Sequence, residues 1–179
     1  MEVTANWPAA ALEGWRDFYL LVGTAGATLL ALLFVAVTLG AGYLTESRQS
    51  GTRTYMSPVV VHFASVFFLS AVALAPAHPA LFYAVIIGVA ALTGLIVSVY
   101  TTVQVLRSDI SRYWPDYFAY GFWPVVAYLA LAAAAGLIGD RIRLGLDLLP
   151  GALLLLTLVN IRNAWDLTLS MARHARGEK

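Results

Sequence analysis

Cysteine is absent from this 179-residue chain, which removes disulfides, thiol nucleophiles and cysteine-held iron–sulfur or zinc sites. Charge is almost as scarce. Asp, Glu, Lys and Arg make up 12% of the residues and balance to a formal +1. That balance provides no basic field for phosphates, and no Lys/Arg-rich stretch with interleaved aromatics occurs, so nucleic acid is not expected as a partner. Histidine appears only at His62, His78 and His174. The first two fall near opposite ends of one apolar stretch, too far apart to ligate one metal or haem. HExxH and Gly-x-Ser-x-Gly are missing. Gly23 and Gly26 follow no strand, so they do not make a phosphate-binding loop. The expectation is a protein that is not an enzyme and holds no metal or cofactor. The first basic residue, Arg16, comes too late for the n-region of a cleavable signal peptide, so the first apolar segment is expected to be retained.

What the chain does have is apolar length. Hydrophobic residues account for 60% of it and the mean hydropathy is +0.77, far from the balance of soluble domains. A helix needs about 20 largely apolar residues to cross the hydrocarbon core. Stretches near 18–43, 57–75, 80–106, 117–138 and 147–171 approach or meet that length between polar interruptions. Period-two alternation is missing, and open strands cannot leave backbone groups unpaired in lipid. The expected fold is therefore all-α, a polytopic transmembrane bundle of about five spans forming one integral membrane domain in the lipid bilayer. Ser57-Pro58 is expected to open the second span as N-cap and first helical residue, and Pro124 to kink the fourth. Residues 1–16, with Trp7 and Trp15, are expected to lie at the interface, the depth aromatics favour.

Orientation follows from the positive-inside rule. With five spans, one side carries Arg48, Arg53, Arg107, Arg112, Arg173, Arg176 and Lys179, the other only Arg16, Arg141 and Arg143. The first side is assigned to the cytoplasm, which puts the N-terminus outside and the C-terminus inside. No soluble domain is expected, and no internal repeat marks an alternating-access transporter.

Ionisable and amide residues are costly in a membrane and point to function by default. Arg162 and Asp166 are four apart, on one helical face at ion-pair distance. Asn160 and Asn163 lie beside them. Either the last helix leaves the membrane here, with Arg162 snorkelling to the interface, or these residues form a buried polar cluster. In the second case His62, near the cytoplasmic end of span two, and Gln104, in the last turn of span three, join it at one level. With Thr38 they would line a vestibule or a proton-responsive gate.

Small and hydroxyl residues recur at helical spacing in span one (Thr24, Ala27, Thr28, Ala31, Thr38) and span four (Ala127, Ala135, Gly139). Such faces let helices approach closely in lipid. They fit either packing within one subunit or a pore-lining or oligomer face.

The run Trp15-Arg16-Asp17-Phe18, with Leu21-Val22-Gly23-Thr24-Ala25-Gly26-Ala27-Thr28-Leu29 and Leu33-Phe34-Val35-Ala36-Val37, resembles a family of small bacterial multi-pass membrane proteins. Ile161-Arg162-Asn163-Ala164-Trp165-Asp166 extends the likeness into the last span. Some members bear the name of modulators of a membrane-anchored ATP-dependent protease. The resemblance implies a bacterial inner-membrane location and brings no catalytic residues. Two functions are therefore expected in order. The first is a homo-oligomeric channel or permeation protein for ions or small solutes, with its polar cluster near the cytoplasmic side. The second is an accessory protein that packs against a membrane protein partner, such as a membrane protease.

Overall fold

A computed structural model describes residues 7–40, 46–75, 78–107 and 117–175. Of the residues weighed above, Arg112, Arg176, Lys179 and the first part of the N-terminal interfacial segment lie outside those described. The described residues contain no strand. Helices α1 (Ala9–Glu13), α2 (Arg16–Gly40), α3 (Glu46–Ala73) and α4 (Ala80–Arg107) are followed by a π-helical turn, Tyr117–Phe122. Then come α5 (Trp123–Gly139) and α6 (Leu144–Ala175). Among the described residues, four helical stretches are long and apolar enough to cross a membrane: Arg16–Thr38, Ala80–Arg107, Phe118–Gly139 and Leu144–Leu169. By this measure the chain is a helical membrane protein.

The prolines behave differently from expectation. Pro58 does not open a helix; it lies inside α3, which begins at Glu46, and Pro150 lies inside α6. A proline removes one N–H from the ladder, a defect that membrane helices tolerate when neighbours re-satisfy the freed carbonyl. Pro124 sits at the first turn of α5, directly after the π-helical turn. It marks a junction of two helical pitches, because the missing donor of a proline costs least at a helix start. The apolar part of α3, Pro58–Ala73, is shorter than a span. α3 packs on α2, α4 and α6 together, so protein covers several of its faces and demands less hydrophobicity of it than lipid would.

The hairpin from α5 to α6 turns through a Schellman motif. Ile142 N–H bonds to the Leu137 carbonyl at 2.7 Å and Arg141 N–H to the Ile138 carbonyl at 3.0 Å, with Arg141 in the left-handed region at φ 60°. α5 packs against both α4 and α6.

Among the described residues, two apolar clusters fill the bundle. The larger joins Tyr19 and Val22 of α2, Val66 and Leu69 of α3, Tyr83 and Ile87 of α4, Tyr128 and Leu131 of α5, and Leu149 to Leu156 of α6. Leu12 of α1 is part of it and Trp7 packs against it, so this stretch of the N-terminal segment is docked on the bundle. The smaller cluster takes Leu33, Val59, Phe63, Val105, Ala119, Tyr120 and Leu167. Along α4 and α6 the clusters occupy successive stretches, and the buried side chains between them are polar; on α3 the buried His62 falls between Val59 and Phe63 of the smaller cluster.

Candidate functional site: a buried polar belt

Between Ala91 and Val105 of α4 lie buried Ser98 and Thr101; between Leu156 and Leu167 of α6 lie Thr157, Asn160 and Asn163; on α3, His62 precedes Val66. All six are at most 6% exposed, so they form one polar belt across the interior. Leaving such groups unpaired away from water costs about 1–3 kcal/mol each, and all of the belt but two amide oxygens meets that demand in one of two ways.

The hydroxyls bond within their own helices. Ser98 Oγ donates to the Gly94 carbonyl at 2.8 Å, Thr101 Oγ1 to Val97 at 2.8 Å and Thr157 Oγ1 to Leu153 at 2.7 Å. Back-bonding of this kind to the carbonyl four residues earlier makes a hydroxyl tolerable in an apolar helix.

The larger groups bond across helices. His62 Nδ1 lies 2.9 Å from Tyr128 Oη. Tyr128 Oη donates to Ser65 Oγ at 3.1 Å, and Ser65 Oγ donates to the Val61 carbonyl at 2.8 Å. Because the tyrosine proton is already committed to Ser65, His62 Nδ1 must carry the hydrogen, which assigns the tautomer from the network. The chain runs one way and ends on a backbone carbonyl of α3, so it has no onward acceptor for a proton. Its geometry depends on Gly94: a Cβ there would overlap the Tyr128 ring. Only glycine lets the ring lie on the α4 backbone while its hydroxyl reaches α3.

On α6 the two amides tie the helix to its neighbours. Asn160 Nδ2 donates to the Val59 carbonyl of α3 at 2.9 Å, and Asn163 Nδ2 donates to the Ala119 carbonyl of the π-helical turn at 2.9 Å. Tyr120 Oη returns a bond to the Asn163 carbonyl at 3.1 Å. The amide oxygens of both residues are buried without a hydrogen-bond partner among the described residues.

The structure divides the six residues expected to converge. His62, Asn160 and Asn163 point inward. Arg162 and Asp166 form a pair at 3.4 Å with 40% and 39% of their side chains exposed; helical phase turns them away from the amides and outward. Gln104 is half-buried and does not join the belt; its Nε2 donates to Tyr100 Oη at 2.8 Å on the same helix. The buried stripe of α4 is Ala91, Gly94, Ser98, Thr101 and Val105, and Gln104 falls beside it. Thr38 is exposed and bonds the Phe34 carbonyl at 2.8 Å. Reasoning from sequence missed Tyr128, Ser65 and Gly94. Tyr128 lies three residues before Leu131, so it was readable on the same α5 stripe as Ala127 and Ala135.

The small-residue faces also separate. Ala127 and Ala135 of α5 are buried within the subunit, while Gly139 is exposed. On α2 the face of Thr24, Thr28, Ala31 and Thr38 is exposed and Ala27 is half-buried. The opposite side of α2 makes the intramolecular contact: a Cβ on Gly23 would come within 2.9 Å of Ser70 on α3, and Tyr19, Val22, Gly26 and Leu33 share its burial.

Compared with known protein families, curated proteins and solved structures, the chain matches none.

Proposed function

We propose that this chain is the subunit of a homo-oligomeric channel or permeation protein for ions or small solutes. It crosses a bacterial inner membrane five times, with its N-terminus outside and its C-terminus in the cytoplasm. The observation that carries the reading is the outward face of α2. Its glycine side is used up against α3, while Thr24, Thr28, Ala31 and Thr38 face away from the subunit. Small faces in lipid associate by close backbone approach, and a second copy offers the same face by rotational symmetry. A path between copies also accords with the filled interior, where Tyr19, Tyr83, Tyr128, Phe63 and Leu131 are fully buried. α3 counts as the fifth crossing in this reading. Its 28 residues span about 42 Å at ~1.5 Å per residue, and it packs on three other long helices. With this orientation the polar belt lies toward the cytoplasmic half.

The test is the mass of the detergent-solubilised particle, corrected for bound detergent, together with ion flux in liposomes. An oligomer is expected for the wild type. Ala31→Leu should lower its mass and flux while leaving subunit stability within about 0.5 kcal/mol, as for surface substitutions. A monomer in several mild detergents would overturn the channel and put the accessory-protein reading first, with the same face docked on another membrane protein.

A further inference from the structure

The polar belt contains buried acceptors without donors. Each of the two α6 carboxamides is oriented by its own nitrogen: Asn160 Nδ2 on the Val59 carbonyl and Asn163 Nδ2 on the Ala119 carbonyl, both at 2.9 Å. Reversing either amide would set oxygen against oxygen, so the orientation is settled by its partner. Both Oδ1 atoms are left buried and without a hydrogen-bond partner among the described residues, in side chains that are 0% and 1% exposed. The residues are three apart on α6, which places them side by side on one face.

A second feature converges on the same place. The π-helical turn Tyr117–Phe122 supplies the Ala119 carbonyl that holds Asn163, and the Tyr120 hydroxyl that bonds the Asn163 carbonyl. π-helical turns are rare and concentrate at functional sites because they redirect backbone groups out of the regular ladder.

We propose that Asn160 and Asn163 hold a monovalent cation, an alkali ion or ammonium, between α3, the π-helical turn and α6. Two unused acceptors call for a ligand with positive charge or donor hydrogens. No Asp or Glu is among the buried polar and charged residues of the belt, and calcium-type sites rely on carboxylates to offset two charges. A single charge held by neutral amide oxygens is the smaller desolvation problem. The site lies within one subunit and does not depend on association of copies, so it stands or falls separately from the channel.

The experiment is thermal unfolding of the full chain in detergent, in chlorides of sodium, potassium, ammonium and N-methyl-D-glucamine at equal ionic strength. The last cation is too large for a buried site. With the small cation about tenfold above its Kd, Tm should rise by about 3–6 °C over the N-methyl-D-glucamine sample. Asn160→Leu and Asn163→Leu should each abolish the difference. If those variants do not fold, rubidium-soaked wild-type crystals decide for alkali ions through an anomalous peak within coordination distance of both Oδ1 atoms. Stabilisation by ammonium alone identifies a donor-bearing ligand, and stabilisation by potassium or sodium an alkali ion; both support the site. The same Tm in all four salts, with no rubidium peak, means that water alone occupies the amides and overturns the proposal.

Discussion

Within seven residues of α6, two polar pairs meet opposite fates. Asn160 and Asn163 are buried and reach across to α3 and the π-helical turn. Arg162 and Asp166, interleaved with them, face outward and bond each other at 3.4 Å. Residue type and helical phase act together here. A neutral amide gives up less hydration than an ion and can pay for burial with one good hydrogen bond to a carbonyl, whereas a buried charge needs an excellent partner and more besides. The helix therefore turns its amides inward and leaves its charges on a half-exposed side, where they face each other.

If the inward polar groups hold the bundle together, the largest effect belongs to the residue that makes room for them. Gly94→Leu drives a side chain into the Tyr128 ring, displacing the hydroxyl from His62 and Ser65. The cost expected is at least about 3 kcal/mol, at the upper end for overpacking. The readout is loss of monodisperse protein in detergent or a collapse of Tm. A wild-type-like Tm would mean that the ring and its hydrogen bonds contribute little.

An intermediate effect belongs to the amides. Asn163→Leu removes the bond to Ala119 and leaves the Tyr120 bond to the backbone at 163 in place. A loss of about 1–3 kcal/mol is expected, the usual range for a buried hydrogen-bond partner. Hydrogen exchange should show that loss first at the π-helical turn, because one of its two hydrogen-bonded ties to α6 is cut. Equal loss of protection everywhere would show that Asn163 acts on the bundle as a whole.

How much of this could be read from the residues depended on whether the signal was a run or a phase. Helices were legible because uncharged runs such as 18–44 leave lipid few other solutions. Pro58 misled because a Ser-Pro pair marks a helix start in water, while α3 continues through it. Phase was harder. Gln104 was expected in the polar cluster, but the buried stripe of α4 steps from Thr101 to Val105, and a shift of one position turns a side chain by about 100°. The α2 faces carried a usable clue: Gly23 marks the side that meets α3, whereas threonine and alanine mark the side left outside. Tyr128 could be placed on the buried stripe of α5 but not singled out there, since an aromatic in an apolar stretch reads as packing until its hydroxyl has a partner on another helix.

The smallest effect is expected at Arg162 and Asp166, and it tests the comparison most directly. Each side chain is about two-fifths exposed, so solvent or headgroups screen the pair, and exposed pairs spaced four apart are worth about 0.3–0.5 kcal/mol. Arg162→Gln and Asp166→Asn should each change unfolding free energy by less than about 1 kcal/mol, and the double variant should differ little from their sum. A buried pair behaves otherwise: removing one partner strands a charge and costs about 3–5 kcal/mol, much of it recovered when the second goes too. The double-mutant cycle, read by thermal unfolding in one detergent, therefore separates the two cases by the size of the coupling. Coupling above about 2 kcal/mol would place the pair in low dielectric. The division of α6 into a neutral inner face and a charged outer one would then fail.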